Sequence, residues 1–209
     1  MNNNQNSKIV SIKQAVKINP VSTREKIIDA LIELITEQGF VAATNRRVAE
    51  WAEVSHSTVQ YHFSTKARLF EAVLQRCHKE FLKLVDDEAL FTGKLEDRAS
   101  LFVVLCWRHY QSQLYLATVE ILMVTRSQQV IASLVDLTEH QATEQRQRLR
   151  QIFPECELDD RGLSEVFTYT HVFLTGLSIE GIREPGMVNI GGYLRRLSGA
   201  ITKMLKSSV

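Results

Sequence analysis

The sequence predicts an all-α protein: an N-terminal three-helix unit of helix-turn-helix form, followed by a larger helical domain, about nine helices in all. Three observations carry this expectation. Apolar residues recur at helical spacing along most of the chain, and no β-alternating run of useful length interrupts them. The stretch Thr44 to Phe63, TNRRVAEWAEVSHSTVQYHF, sets two short helices around a tight turn. The 209 residues, 44% of them hydrophobic, suffice for one small module and one larger domain with a sizeable core.

Residues 1–21 are polar, open with Met-Asn-Asn-Asn-Gln-Asn and contain Asn19-Pro20. Lys8, Lys13, Lys17 and Arg24 all precede the first acidic residue, Glu25. The segment reads as a flexible basic arm, either a plain tail or a strand of cations able to lie along a nucleic-acid backbone. Helix one starts at a capping box, Ser22 with Glu25, in which each side chain would satisfy a backbone donor of the other. Ile27, Ala30, Leu31, Leu34 and Ile35 then recur at helical spacing, and Gly39 ends the run.

In the next two helices Val48, Ala49, Ala52, Val54 and Val59 supply the packing face, with Thr44 and Ser55 as N-caps. A linking helix covers Lys66 to Val85. Further helices are expected over Leu95–Tyr110, Leu114–Arg126, 128–153, Leu163–Ile182 and Val188–Leu205. The polar second half of the 128–153 segment, Glu139 to Gln151, is expected to face solvent for much of its length. Pro154 to Gly162 reads as an acidic connection. These boundaries give three segments: the arm (1–21), the helix-turn-helix unit (22–66) and the helical domain (67–209).

The outward face of the second short helix carries His56, Ser57, Thr58, Gln60 and Tyr61, all hydrogen-bonding and none acidic. Such a face suits the major groove, where base edges present donors and acceptors. An ordinary helical hairpin in an all-α core would show the same packing pattern. The residues downstream of the motif narrow the choice. The run Val54 to Val73, VSHSTVQYHFSTKARLFEAV, resembles the signature of the tetracycline-repressor (TetR) family of bacterial transcription regulators. Val54, Ser55, Thr58, Val59, His62, Phe63, Lys66, Leu69, Phe70 and Val73 carry the match. Gly39-Phe40, Thr44 and Val48-Ala49 support it upstream. The resemblance covers about residues 22–75. It departs from the pattern at Glu53 and Ser57, where glycine is usual, and at Gln60, where the family usually has tyrosine.

The resemblance implies a homodimer on a near-palindromic double-stranded DNA operator and a pocket for a small-molecule effector. Ser57, Gln60 and Tyr61, with His56 beside them, are the candidate base readers. Thr44, Arg46, Thr58 and Lys66 are the candidate phosphate contacts, in the usual division between specifying and positioning groups. For the effector, Trp107, Tyr110, Met123, Arg126, Phe167 and His171 stand out as aromatic, polarisable or polar groups with few charges between them. Tyr115, Arg108, His109 and Glu120 are further candidates. A mostly apolar effector is expected, with an acid group or a ring as its distinguishing feature.

The last two helices are the expected dimer surface. Leu163, Val166, Phe167, Thr170, Leu174 and Leu177 form one stripe, and Tyr169, Phe173 and Gly176 begin a second. Leu194, Leu197, Ile201 and Leu205 give the final helix a stripe of its own. These stripes would equally serve to close the monomer's core.

Other classes are poorly supplied. No enzyme motif such as G-x-S-x-G, H-E-x-x-H or a P-loop occurs, so no catalytic site is expected. Cys106 with His109, and Cys77 with His78, fall short of the three or four ligands a metal needs, and no cofactor is implied. Net charge is +1 and no apolar run approaches the ~18 residues of a membrane span. The three cysteines read as reduced packing thiols, and the chain as cytoplasmic. The expectation is a ligand-responsive DNA-binding regulator, most simply a repressor; the alternative is a protein with the same fold that only binds partners.

Overall fold

The computed structural model describes residues 22–125, 135–184, 186 and 189–207; the basic arm, Arg126 and the segment after it lie outside that range. Nine α-helices and two short 3-10 turns make up the described residues, with no strand among them. No helix there is long and apolar enough to cross a membrane.

Helix α1 (Thr23–Gln38) is capped by Ser22, whose hydroxyl accepts the Glu25 backbone N–H at 3.2 Å. The reciprocal half of the capping box is not formed. The Glu25 carboxylate instead meets Arg24 at 3.3 Å and Arg76 at 3.6 Å, because the helix that carries Arg76 brings a guanidinium within its reach. Gly39 leaves the helix at φ 78°, and a 3-10 turn over Phe40–Ala42 leads on to α2 (Asn45–Trp51).

Thr44 caps α2 by accepting the Arg47 N–H, and Ser55 caps α3 (His56–His62) by accepting the Thr58 N–H. The tight turn between them places Glu53 at φ 54°, the only non-glycine with positive φ among the described residues. Holding a residue with a Cβ there costs about 1 kcal/mol.

Helix α4 (Lys66–Leu84) starts at the Thr65 cap. A 3-10 turn over Glu88–Phe91 then leads to α5 (Leu95–Tyr110), α6 (Gln113–Thr125), α7 (Val135–Ile152), α8 (Asp160–Arg183) and α9 (Ile190–Lys206).

Two apolar cores result. The N-terminal one gathers Ile27, Leu31, Leu34 and Ile35 of α1, Val48 and Ala49 of α2, and Val59 of α3. It does not stop at residue 66. Leu69, Phe70 and Val73 of α4 close one side, and Ala117 and Ile121 of α6, both fully buried, close another. A three-helix unit this short has little interior of its own, so it takes walls from the larger domain. The second core centres on α5, with Phe102 edge-on to Phe153 at 5.9 Å and α9 lying along α5.

Three expectations change here. The α9 stripe of Leu197, Ile201 and Leu205 is buried in this second core, so it closes the chain's own interior rather than offering a surface. Helix α8 begins three residues earlier than its apolar pattern suggests, because Asp159 accepts the Gly162 N–H and caps it. The polar half of α7 faces solvent on one side, but its other side is not free: Leu149 is buried in the core, and Gln141, Gln145 and Arg146 line a half-open cavity.

Replacing Glu53 with glycine removes the side chain from a left-handed position and should stabilise the fold. The expected gain is about 0.5–1 kcal/mol in urea unfolding, net of glycine's greater freedom in the unfolded chain. A loss of stability would mean that Glu53 makes a compensating interaction.

Candidate nucleic-acid face and ligand cavity

Helix α3 is anchored to the N-terminal core by a single buried residue, Val59, which points inward. His56, Ser57, Gln60 and Tyr61 are exposed on its other side, with Tyr61 86% accessible and its ring edge-on to His62 at 5.3 Å. Thr58 is half-buried; its hydroxyl lies 2.7 Å from the Ser55 hydroxyl, which also meets Ser57 at 2.7 Å. The helix therefore holds its serine and threonine hydroxyls in a local chain at its start, while Gln60 and Tyr61 extend freely.

The candidate phosphate contacts are less uniform. Thr44 is exposed; its hydroxyl oxygen accepts the cap bond from Arg47 N–H, which leaves the O–H as the donor a phosphate would use. Arg46 is exposed and shared with Glu50 at 2.9 Å. Lys66 is half-buried: its ammonium lies 5.0 Å from the Phe40 ring centre and 5.5 Å from that of Phe70, and burial lowers its pKa. Arg47, absent from the sequence-based candidates, bonds Gln38 and stands 5.9 Å from the Trp51 ring.

A cavity of about 470 Å³ lies between α4, α5, α6, α7 and α8. Of the residues expected to bind an effector, Tyr110, Phe167 and His171 line it, as do Tyr115 and His109. Trp107 does not: it borders a separate space of about 280 Å³, which Tyr110 also lines. Met123 is 56% exposed, because the cavity-facing register of α6 runs through Tyr115, Thr118 and Leu122 and leaves position 123 turned outward. Arg126 is outside the described residues. Arg108 is exposed, and Glu120 is engaged elsewhere, accepting the Phe40 backbone N–H at 3.2 Å.

Sequence reasoning missed two walls of the cavity. Cys77, His78 and Phe81 come from α4, and Gln141, Gln145 and Arg146 from α7. Cys77 and Phe81 belong to the apolar stripe of α4 and so read as ordinary packing, whereas Gln141 and Gln145 give no hydrophobic stripe to draw attention.

The cavity is polar in places yet uncharged at most of them. His109 sits 3.6 Å from the Cys77 sulfur, and burial, aided by the nearby His171 and His78 rings, pushes its pKa down to about 4. Burial likewise lowers His171, which hydrogen-bonds Tyr110 at 2.7 Å through Nδ1. Burial raises Cys77 to about 11, against an opposing bond from Thr118, and raises Tyr115 to about 12. Tyr115 also reaches Thr175 of α8 at 2.5 Å. No cluster of three or more metal-ligating side chains occurs among the described residues.

The outer side of α8 carries a second apolar row. Tyr169, Val172, Ile179 and Ile182 are 43–64% exposed, and Tyr193 of α9 is 40% exposed. A Cβ added at Gly176 or Gly181 would meet nothing within 4 Å, so neither glycine serves close packing inside the monomer.

An exposed, acid-free helix α3 on a compact helix-turn-helix, carried by a helical body with a half-open cavity, defines the class: a helix-turn-helix unit with a ligand-sized cavity behind it. Residues 27–73 match the family model of bacterial regulatory proteins, tetR family. The chain is similar to the probable HTH-type transcriptional regulator YttP of Bacillus subtilis, 26% identical over 98 residues that cover 45% of this chain and 47% of that one. It is also similar to the HTH-type transcriptional regulator TtgW of Pseudomonas putida, 40% identical over 52 residues, 25% of this chain and 39% of that protein. The chain thus spans under half the length of the curated relatives it matches.

Solved structures extend the likeness to the whole fold. A transcriptional regulator from Rhodococcus sp. Rha1 superposes with a TM-score of 0.67 at 20% identity, over 88% of this chain and 96% of that one. The multidrug binding protein EbrR, solved with imidazole, gives 0.62 at 16% identity over 90% and 97%. The N-terminal unit thus matches this family by sequence over residues 27–73, and the likeness over the rest of the described residues is one of fold.

The buried neutral His109 has a consequence for stability. Its folded pKa, about 4, lies below the ordinary 6.5, so the unfolded chain binds the extra proton first as pH falls. Its share of stability is present above pH 6.5 and should be lost between there and about pH 4, up to about 3 kcal/mol. Urea unfolding at stepped pH should show the decline, and His109→Gln should flatten it. An unchanged slope in that variant would place the titration elsewhere.

Proposed function

We propose that this chain is a homodimeric, sequence-specific DNA-binding transcriptional regulator, acting as a repressor that a small, mostly apolar molecule releases from its operator. The observation that supports it most is α3, which offers Gln60 and Tyr61 to solvent with no acidic group on its own surface. In this reading Gln60, Tyr61, Ser57 and His56 meet base edges. Thr44, Arg46, Thr58 and Lys66 steady the backbone, with Lys66 swinging off the Phe40 and Phe70 rings to do so. Two such heads, about one helical turn of DNA apart, would read a near-palindrome. The exposed row Tyr169, Val172, Ile179 and Ile182 on α8, with Tyr193 of α9, supplies the dimer face.

The effector would occupy the cavity behind α4 and α6. EbrR, with which this chain shares its fold, is named as a multidrug binding protein. Ligand release of DNA requires different affinities for the two states of the body. Two helices carry the signal in this proposal. Helix α4 joins the cavity, at Cys77 and Phe81, to the N-terminal core at Leu69 and Val73. Helix α6 joins Tyr115 and Thr118 in the cavity to Ala117 and Ile121 in that core, and Glu120 fixes the end of α1 through Phe40.

The test begins with a gel shift on DNA flanking the protein's own gene, and on fragments selected from the genome. The double variant Gln60→Ala, Tyr61→Ala should lose about tenfold to a hundredfold or more in specific affinity, while keeping its weak, salt-dependent binding to unrelated DNA. No binding by the parent protein at low salt, or unchanged sequence preference in the variant, would contradict the reading.

A further inference from the structure

Resting on the reading of the cavity as an effector site, we propose that the cavity selects a planar aromatic carboxylate. Its rings would lie among Tyr110, Tyr115 and Phe167, and its carboxylate against the Gln141 amide and the Arg146 guanidinium.

The charge inventory comes first. Among the described residues lining the cavity there is one permanent cation, Arg146, and no aspartate or glutamate. The phenols and the thiol there resist ionisation, since burial raises Tyr110, Tyr115 and Cys77. Apart from its ring faces the described lining offers a cation no negative partner, whereas an anion finds a charge match at Arg146. Glu144, a carboxylate on the same helix as the α7 lining, is turned to His78 at 2.8 Å and His140 at 3.7 Å.

Arg146, by contrast, is loosely held. Its Nε is 3.9 Å from Asp160, whose other oxygen already takes Arg150 at 2.6 Å, and it donates one bond to Thr143 at 3.0 Å. A guanidinium with spare donors matches a carboxylate in geometry and charge. Gln141 adds a second, independent sign. Its side-chain nitrogen is buried and has no hydrogen-bond partner, and the residue lines the same cavity little more than one turn before Arg146. A buried donor without an acceptor is unfavourable, and a ligand oxygen would relieve it.

The opposite walls explain the aromatic half. Tyr110 and Tyr115 have ring centres 4.4 Å apart, and Phe167 stands edge-on to Phe81 at 5.7 Å. Such surfaces favour offset or edge contacts with a flat ring. The volume, about 470 Å³, has room for a fused bicycle and its carboxylate.

The full-length protein would be titrated by calorimetry with 2-naphthoate, neutral 2-acetonaphthone and 2-naphthylmethylammonium, three probes of similar shape. The acid should bind at least about tenfold more tightly than the ammonium. Arg146→Gln and Gln141→Leu should each weaken the acid about tenfold or more and leave the ketone unaffected by the loss of charge at Arg146, with Arg146→Lys in between. Equal or tighter binding of the ammonium, no binding of the acid, or acid binding indifferent to Arg146→Gln would each overturn the proposal. The ligand series on the parent protein holds even where a variant folds poorly. Gel shifts with the same probes separate the two readings. Selective acid binding without DNA release supports this ligand class and contradicts the effector role. DNA release without preference for the acid does the reverse.

Discussion

The burial of one face of α6 in the N-terminal core is the constraint on which the rest of the molecule depends. Ala117 and Ile121 are fully buried among α1 residues, and Ile121 alone removes enough apolar surface to contribute about 1.5–3 kcal/mol. The reading head therefore has no complete interior without the body. Glu120 reinforces the contact by accepting the backbone N–H of Phe40, just where α1 ends at Gly39. Because packed interiors adjust in discrete rearrangements rather than smoothly, a shift of α6 cannot leave α1 where it was.

The same helix shows its other face to the cavity. Tyr115 and Thr118 are placed so that whatever fills the chamber presses on α6 as well as on α4. The α5 and α6 side of the chamber is kept neutral. His109, His171, Tyr110, Tyr115 and Cys77 are buried, and desolvation favours the uncharged form of each. The α7 wall differs: it contributes an unpaired amide, Gln141, and a loosely paired guanidinium, Arg146.

Much of the fold was legible in the sequence, and the reasons lie in particular residues. Thr44, Ser55 and Gly39 mark helix ends by local chemistry, and the helical stripes of α1 and α8 emerge from spacing alone. Glu53 at a left-handed turn was foreseeable from the glycine it replaces. Tyr110, Phe167 and His171 could be brought together because aromatic side chains cluster where apolar helices meet. Met123 and Trp107 could not be excluded, since a difference of one position on a helix decides which chamber, or whether solvent, is faced. Gln141 and Arg146 were hidden for a different reason. Their helix reads as a solvent face until α4 and α8 are placed beside it. The sharing of α6 between two cores is a long-range event with no local sign.

The chain carries two tryptophans, and they fall one in each unit: Trp51 in α2 and Trp107 in α5. Urea unfolding of Trp51→Phe and Trp107→Phe variants, monitored by the fluorescence of the remaining tryptophan at one protein concentration, reports on each unit separately. A core shared through α6 predicts coincident midpoints and one cooperative transition. Well-separated midpoints, with the head melting while the body stays folded, would contradict it.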